Sequence, residues 1–117
     1  MTIHKWLESF ASAWKSHDIE AVMALFEDEV EYWETPYKLI SGKQSLREEW
    51  GAIHNQSNIQ ISTDLFSEHE NNYAVRWKLT YENQNSELQN WAGTYLITLN
   101  EEGKCLYFHH TGEKNVE

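Results

Sequence analysis

Residues 73–81 read Tyr-Ala-Val-Arg-Trp-Lys-Leu-Thr-Tyr, and their alternation decides the fold class of the second half of the chain. Tyr73, Val75, Trp77, Leu79 and Tyr81 fall on one side of an extended backbone, with Ala74, Arg76, Lys78 and Thr80 on the other. Successive strand side chains point to opposite faces, so this is a half-buried strand of an antiparallel sheet with one large apolar face. The same period runs outward in both directions. Upstream, Ile59, Ile61, Thr63 and Leu65 alternate with polar residues, and 68–72 supplies the turn. Downstream, 82–87 is a polar loop, and Trp91, Gly93, Tyr95, Ile97 and Leu99 mark a long strand in which Gly93 reads as a bulge or a bend. Residues 100–103 then turn the chain into a last strand over 104–111. On the outer face Ala92, Thr94 and Leu96 are expected beside Leu106 and Phe108, an apolar patch that predicts pairing with a second copy.

The first half has a different period. Ile3, Trp6, Leu7, Phe10 and Trp14 recur at helical spacing. Ser16, His17 and Asp18 interrupt that stripe, and Asp18 has the side chain of an N-cap for a second helix carrying Ile19, Val22, Met23, Leu25 and Phe26. From Glu29 to Glu34 the period drops to two, with Val30, Tyr32 and Glu34 sharing a face until Thr35-Pro36 ends the strand. Ser41-Gly42-Lys43-Gln44 has the form of a capping box opening a third helix, whose inner stripe is Leu46, Trp50 and Ile53. Helices followed by strands predict an α+β fold, with the helices on one face of an antiparallel sheet.

Composition bounds the function. The 117 residues fit one domain, 1–117, and hydrophobic residues at 40% with aromatics at 14% exclude a disordered tail. A net charge of −10 repels phosphate backbones and anionic lipid, so neither nucleic acid nor a membrane is expected as partner. The lone Cys105 permits no intramolecular disulfide, and residues 1–18, interrupted by Lys5, Glu8 and Lys15, lack the apolar run of a signal peptide. A cytoplasmic location is the expectation. His4, His17, His54 and His69 have no ligand spacing, and adjacent His109 and His110 point to opposite faces of a strand, so no metal is expected. No phosphate-cradling Gly loop or nucleophile elbow is present, and no cofactor is expected.

Several motifs, in their order, carry a resemblance that covers nearly the whole chain. Phe10-Ala-Ser-Ala-Trp14 is followed by His17-Asp18-Ile19, then Ala24-Leu25-Phe26-Glu27-Asp28, then Ser41-Gly42, and the chain ends Gly112-Glu113-Lys114-Asn115. Together they resemble the nuclear transport factor 2-like superfamily, in its SnoaL-like and ketosteroid isomerase-like branch. The resemblance implies a cone: three N-terminal helices packed in a curved antiparallel sheet, a deep pocket on the concave side, and pairing of two copies through the other face. It also implies a catalytic carboxylate near the end of the first strand. A match without gaps places Glu34 there, and one that aligns Pro36 with the family proline places Thr35 there instead.

A base of this kind works best when desolvation raises its pKa, which is the expectation for Glu34. The isomerases stabilise the enolate oxygen with a helix tyrosine and a strand aspartate. The matching positions here are Phe10, which has no donor, and Tyr95, whose phenol can donate. The resemblance turns Tyr107, His109 and Thr111 inward, with His109 assisting Glu34. It lines the pocket with Phe10, Trp14, Tyr32, Trp50, Trp77, Tyr81 and Tyr107. Two functions follow: proton-transfer chemistry, isomerase- or cyclase-like, on a small apolar carbonyl compound, or a non-catalytic ligand-binding or dimerisation module. The missing donor at Phe10 favours the second.

Overall fold

A computed structural model describes residues 2–116. The first apolar stripe forms α1 (Ile3–Lys15), with Thr2 as N-cap and Ile3, Trp6, Leu7, Phe10, Ala13 and Trp14 buried along one face. Asp18 caps α2 (Ile19–Met23): its Oδ1 accepts from the Ala21 N–H at 3.0 Å, satisfying a donor that the helix itself cannot. The chain then enters β1 (Phe26–Thr35) and doubles back into β2 (Lys38–Ser41). Strand β2 escapes sequence analysis because only Ile40 of its four residues is buried, too short a signal for a period.

Helix α3 (Lys43–Trp50) does not start with the expected capping box. Ser41 is still paired with Glu31 as the last residue of β2, so its side chain cannot cap. The N-cap is Gly42, whose φ of 83° lies in the left-handed region that a residue without Cβ enters at little cost. A short 3-10 turn, Gly51–Asn55, continues α3 and carries Ile53 inward beside Leu46 and Trp50.

The remaining strands are β3 (Ser57–His69), β4 (Asn72–Glu82), β5 (Leu88–Leu99) and β6 (Cys105–Lys114), and the sheet order is β2-β1-β6-β5-β4-β3. The sheet is mixed rather than antiparallel throughout, because β6 runs parallel to β1. The β1–β2 hairpin occupies one edge of β1, and the strand that fills the other edge arrives last, in the same direction. Helices and sheet meet in an aromatic core in which Trp6, Phe10, Phe26, Tyr95 and Phe108 are fully buried. Each such side chain contributes about 1.5–3 kcal/mol of burial. Trp6 brings its polar atom along satisfied, donating from Nε1 to the Leu25 carbonyl at 3.0 Å.

Two sequence expectations about β5 and β6 change. Gly93 marks no bulge: its pairing with Trp77 on β4 and Gly112 on β6 runs through an unbroken register. A glycine is required there because a Cβ would collide with the Thr111 carbonyl oxygen and the Gly112 Cα. The irregularity lies instead at Leu106, since Leu99 pairs with Cys105 but Thr98 pairs with Tyr107. That extra residue reverses the alternation of β6. Cys105, Phe108 and His110 therefore face inward with Leu99, Ile97 and Tyr95, whereas Tyr107, His109 and Thr111 share the outer side with Thr98, Leu96 and Thr94. The expectation that Tyr107, His109 and Thr111 turn inward, and that Phe108 lies outside, is corrected by this one bulge.

Candidate functional site

The concave side of the sheet, closed by α1 and α3, holds a cleft of about 210 Å³. Phe10 and Trp14 reach it from α1, Glu49 and Trp50 from α3, Ala52, Ile53 and Gln56 from the following segment, and Tyr32, Glu34, Tyr95, Phe108 and His110 from the sheet. The walls are mutually packed rings: Trp14 against Trp50 at 5.0 Å between centroids, Phe10 against Trp50 at 5.4 Å, Tyr32 stacked on Phe108 at 4.8 Å. Such edge and offset contacts hold each ring in one orientation. Trp14 donates from Nε1 to Gln56 Oε1 at 2.8 Å, which pins the mouth of the cleft to α1.

Of the residues singled out in the sequence, Glu34, Tyr95, Phe10, Trp14, Tyr32 and Trp50 line this cleft. Thr35 is exposed, so Glu34 is the carboxylate that the first strand brings in. His109 and Tyr107 lie on the opposite face and do not reach it. Trp77 stands behind the wall, stacked on Tyr95 at 5.3 Å and on His110 at 5.2 Å. Tyr81 is half-buried further along β4 and does not contribute to the lining.

Glu34 is not the solitary desolvated base that the sequence suggests. Its Oε2 lies 3.1 Å from Lys38 Nζ, and Lys38 also reaches Glu49 Oε1 at 3.5 Å. The Glu34 carboxyl is held below its usual value, chiefly by its interaction with the Glu49 side chain; burial opposes this, and Lys38 adds to the lowering. Glu49 is correspondingly raised, chiefly by its interaction with the Glu34 side chain, with burial adding to the effect. The two carboxyls titrate as a pair rather than independently. Sequence spacing could not find Glu49, which sits on a helix that reads as charged and solvated.

His110 is the second residue missed. Its Nδ1 lies 2.8 Å from the Glu34 main-chain oxygen. A carbonyl oxygen only accepts, so Nδ1 carries the proton and Nε2, at the tip of the ring, is left with the lone pair. Burial lowers the pKa of His110, partly offset by that hydrogen bond. Burial also raises the phenols of Tyr32 and Tyr95 well above their usual value, so both stay protonated. Cys105 is buried, its thiol pushed up to about 12 mainly by desolvation.

Among the described residues, no three His, Cys, Asp or Glu side chains are grouped to hold a metal ion, and no helix is long and apolar enough to cross a membrane.

Comparison with solved structures returns the same architecture. The Δ5-3-ketosteroid isomerase from a Mycobacterium species aligns with a TM-score of 0.78 at 15% identity, over 97% of this chain and 92% of that one. SalBIII, an epoxide hydrolase/cyclase-like enzyme of pyran ring formation in the polyether salinomycin, aligns with a TM-score of 0.79 at 15% identity, over 97% and 90%. RV0760c from Mycobacterium tuberculosis, in complex with estradiol-17beta-hemisuccinate, aligns with a TM-score of 0.77 at 18% identity, over 97% and 93%. No curated protein matches the sequence significantly. The sequence does match the SnoaL-like domain over residues 7–108, from the first helix to the strand that closes the cleft. That match, on this cone of helices and curved sheet, makes the chain a member of the SnoaL-like family within the nuclear transport factor 2-like superfamily.

Proposed function

We propose that the cleft binds a small, mostly apolar carbonyl compound and moves a proton on it, as an isomerase or cyclase does. The observation that carries this reading is the meeting of Glu34, Glu49, Tyr95 and His110 in one aromatic cavity. Acid–base work needs one group that holds a proton and another that accepts one, both at the same ligand. Tyr95, kept neutral by burial, is the proton donor for an oxygen on which charge develops, and Glu34, Glu49 and His110 are the groups able to accept a proton. At about 210 Å³ the cavity is smaller than the roughly 300–1,000 Å³ that takes drug-sized ligands, so the compound is smaller than a steroid. Phe10 offers no second oxyanion donor.

The test is exchange of α-hydrogen for deuterium on cyclohexenone, followed by proton NMR in deuterated buffer. Wild-type protein accelerates exchange, and Tyr95→Phe lowers the rate by about 10²-fold, the usual effect of losing one oxyanion donor. A wild-type protein that binds cyclohexenone without exchanging its hydrogens is a binding module, and the catalytic reading falls.

The same proposal includes pairing of two copies through the outer face. Leu39, Trp33, His109, Leu96 and Ala74 form one row across five strands there, and Leu39 and Leu96 are exposed in the single chain. Sedimentation of wild type and Leu96→Glu tests it: a dimer that the charge dissociates supports the pairing, and a monomeric wild type at micromolar concentration overturns it.

A further inference from the structure

Three groups in the cleft, Glu34, Glu49 and His110, are able to accept a proton. Strand position makes Glu34 the obvious candidate, yet its carboxylate is paired with Lys38 at 3.1 Å, which holds it in the charged, weakly basic form. Moreover, its side chain is 35% exposed at the rim. His110 differs in each respect. Its ring is fixed from behind by Trp77, stacked at 5.2 Å and 24°, and from the side by Tyr95 at 5.9 Å. Its Nδ1–H is committed to the Glu34 carbonyl at 2.8 Å. A side chain on the inner face of a sheet stands away from the strands, so Nε2 is carried toward the cleft with its lone pair.

We propose, on the basis of the proton-transfer reading, that Nε2 of His110 is the catalytic base of the cleft. When a carbon acid binds, Nε2 takes the hydrogen, the C–H electron pair moves into the new double bond, and the carbonyl oxygen gains charge facing Tyr95. The imidazolium then gives that proton back to the substrate at the carbon where the rearranged double bond ends. The main-chain oxygen of Glu34 stabilises the imidazolium while it exists.

The groups that set the charge of this ring are few. Glu34 on β1 and Glu49 on α3 line the same cleft, with Lys38 beside them at the rim. Tyr95 on β5 is neutral, and His109 is the neighbour on its own strand. Desolvation outweighs the carbonyl contact and holds His110 below the ordinary histidine value of 6.5, so the base form predominates at neutral pH.

The probe is 5-nitrobenzisoxazole, in which removal of the ring C–H proton opens the N–O bond. The C–H electrons form the nitrile and the oxygen leaves as a coloured phenolate. Wild type cleaves it with a rate that rises with pH through a midpoint below 6.5. His110→Asn, whose amide still donates to the Glu34 carbonyl, loses about 10²-fold and loses the pH limb, with an unchanged melting curve. Glu34→Gln keeps the limb. Independently of any variant, the histidine nitrogen-15 spectrum at neutral pH places the proton of His110 on Nδ1. If His110→Asn keeps the rate and Glu34→Gln abolishes the limb, the base is Glu34 and this assignment fails while the proposed function stands. A neutral ring protonated on Nε2 also refutes the assignment. A wild type no faster than buffer removes the proposed function with it.

Discussion

Gly93→Ala tests whether the cleft is built on a backbone contact. The added Cβ meets the Thr111 carbonyl oxygen and the Gly112 Cα, which are main-chain atoms of the paired strand and cannot rotate away. Overpacking of a well-packed interior costs about 1–3 kcal/mol, and a clash with backbone belongs at the upper end. The strands must separate at the point where Trp77 lies over Gly112, and Trp77 in turn supports Tyr95 and His110. We therefore expect a loss of about 3 kcal/mol, or about 12 °C in Tm for a domain of this size. Gly112→Ala is the internal control. Its Cβ meets ring atoms of Trp77 but main chain only at the Ala92 carbonyl oxygen, 3.1 Å away, so it should cost less, about 1–2 kcal/mol, while changing the near-UV signal of Trp77. Urea and thermal unfolding read both. A Gly93→Ala protein melting within about 2 °C of wild type, or more stable than Gly112→Ala, would show that the β5–β6 contact does not limit the fold.

The carboxyl pair predicts a pH dependence. Because Glu49 is raised, its contribution to stability is full below about pH 4.5 and is lost as pH rises through its folded value. Glu34, being lowered, contributes above 4.5 and loses that contribution only at lower pH. Glu49→Gln mimics the protonated partner, so its stability relative to wild type should improve between pH 4.5 and 7.5. With side chains 35% and 38% exposed, the gain stays under about 1 kcal/mol, and urea unfolding showing the opposite trend would refute the raised Glu49. Cys105, buried and raised to about 12, should resist iodoacetamide at pH 8 in the native protein and react fully in denaturant; rapid native labelling, followed by mass spectrometry, would contradict its burial. Deleting Leu106 removes the bulge but leaves Cys105 followed by Tyr107, which already face opposite ways. The deletion should fold with a loss below about 2 kcal/mol and keep the Nδ1–H tautomer of His110 in its nitrogen-15 spectrum.

Long periodic segments were legible because burial and period are the same physical fact there. The α1 stripe, the Asp18 cap and the inner face from Val75 to Leu79 all appear as read. Ser41-Gly42-Lys43-Gln44 misled because a capping box is a local signal, and the pairing of Ser41 with Glu31 is a tertiary one that prevails. Gly93 was legible as special but not in kind: a bulge and a close backbone approach both exclude a Cβ, and only the partner strand tells them apart. Glu49 was not legible because its role depends on Glu34, a residue fifteen positions earlier on another element.

The histidines show how little separates a site residue from a surface residue. His109 and His110 are identical in type and adjacent in sequence, so composition and motif treat them alike. What divides them is parity, and parity on β6 is set by one unpaired residue, Leu106. A regular strand that buried Cys105 would also bury Tyr107 and His109, sending Phe108 out of the core and His110 to the surface. The bulge instead lets Cys105 and Phe108 both be buried, and the burial of these two apolar side chains favours that arrangement over the regular one. The placement of His110 against the Glu34 carbonyl is then a consequence of core packing two residues away. The cleft's chemistry is thereby tied to the hydrophobic register of the strand that carries it.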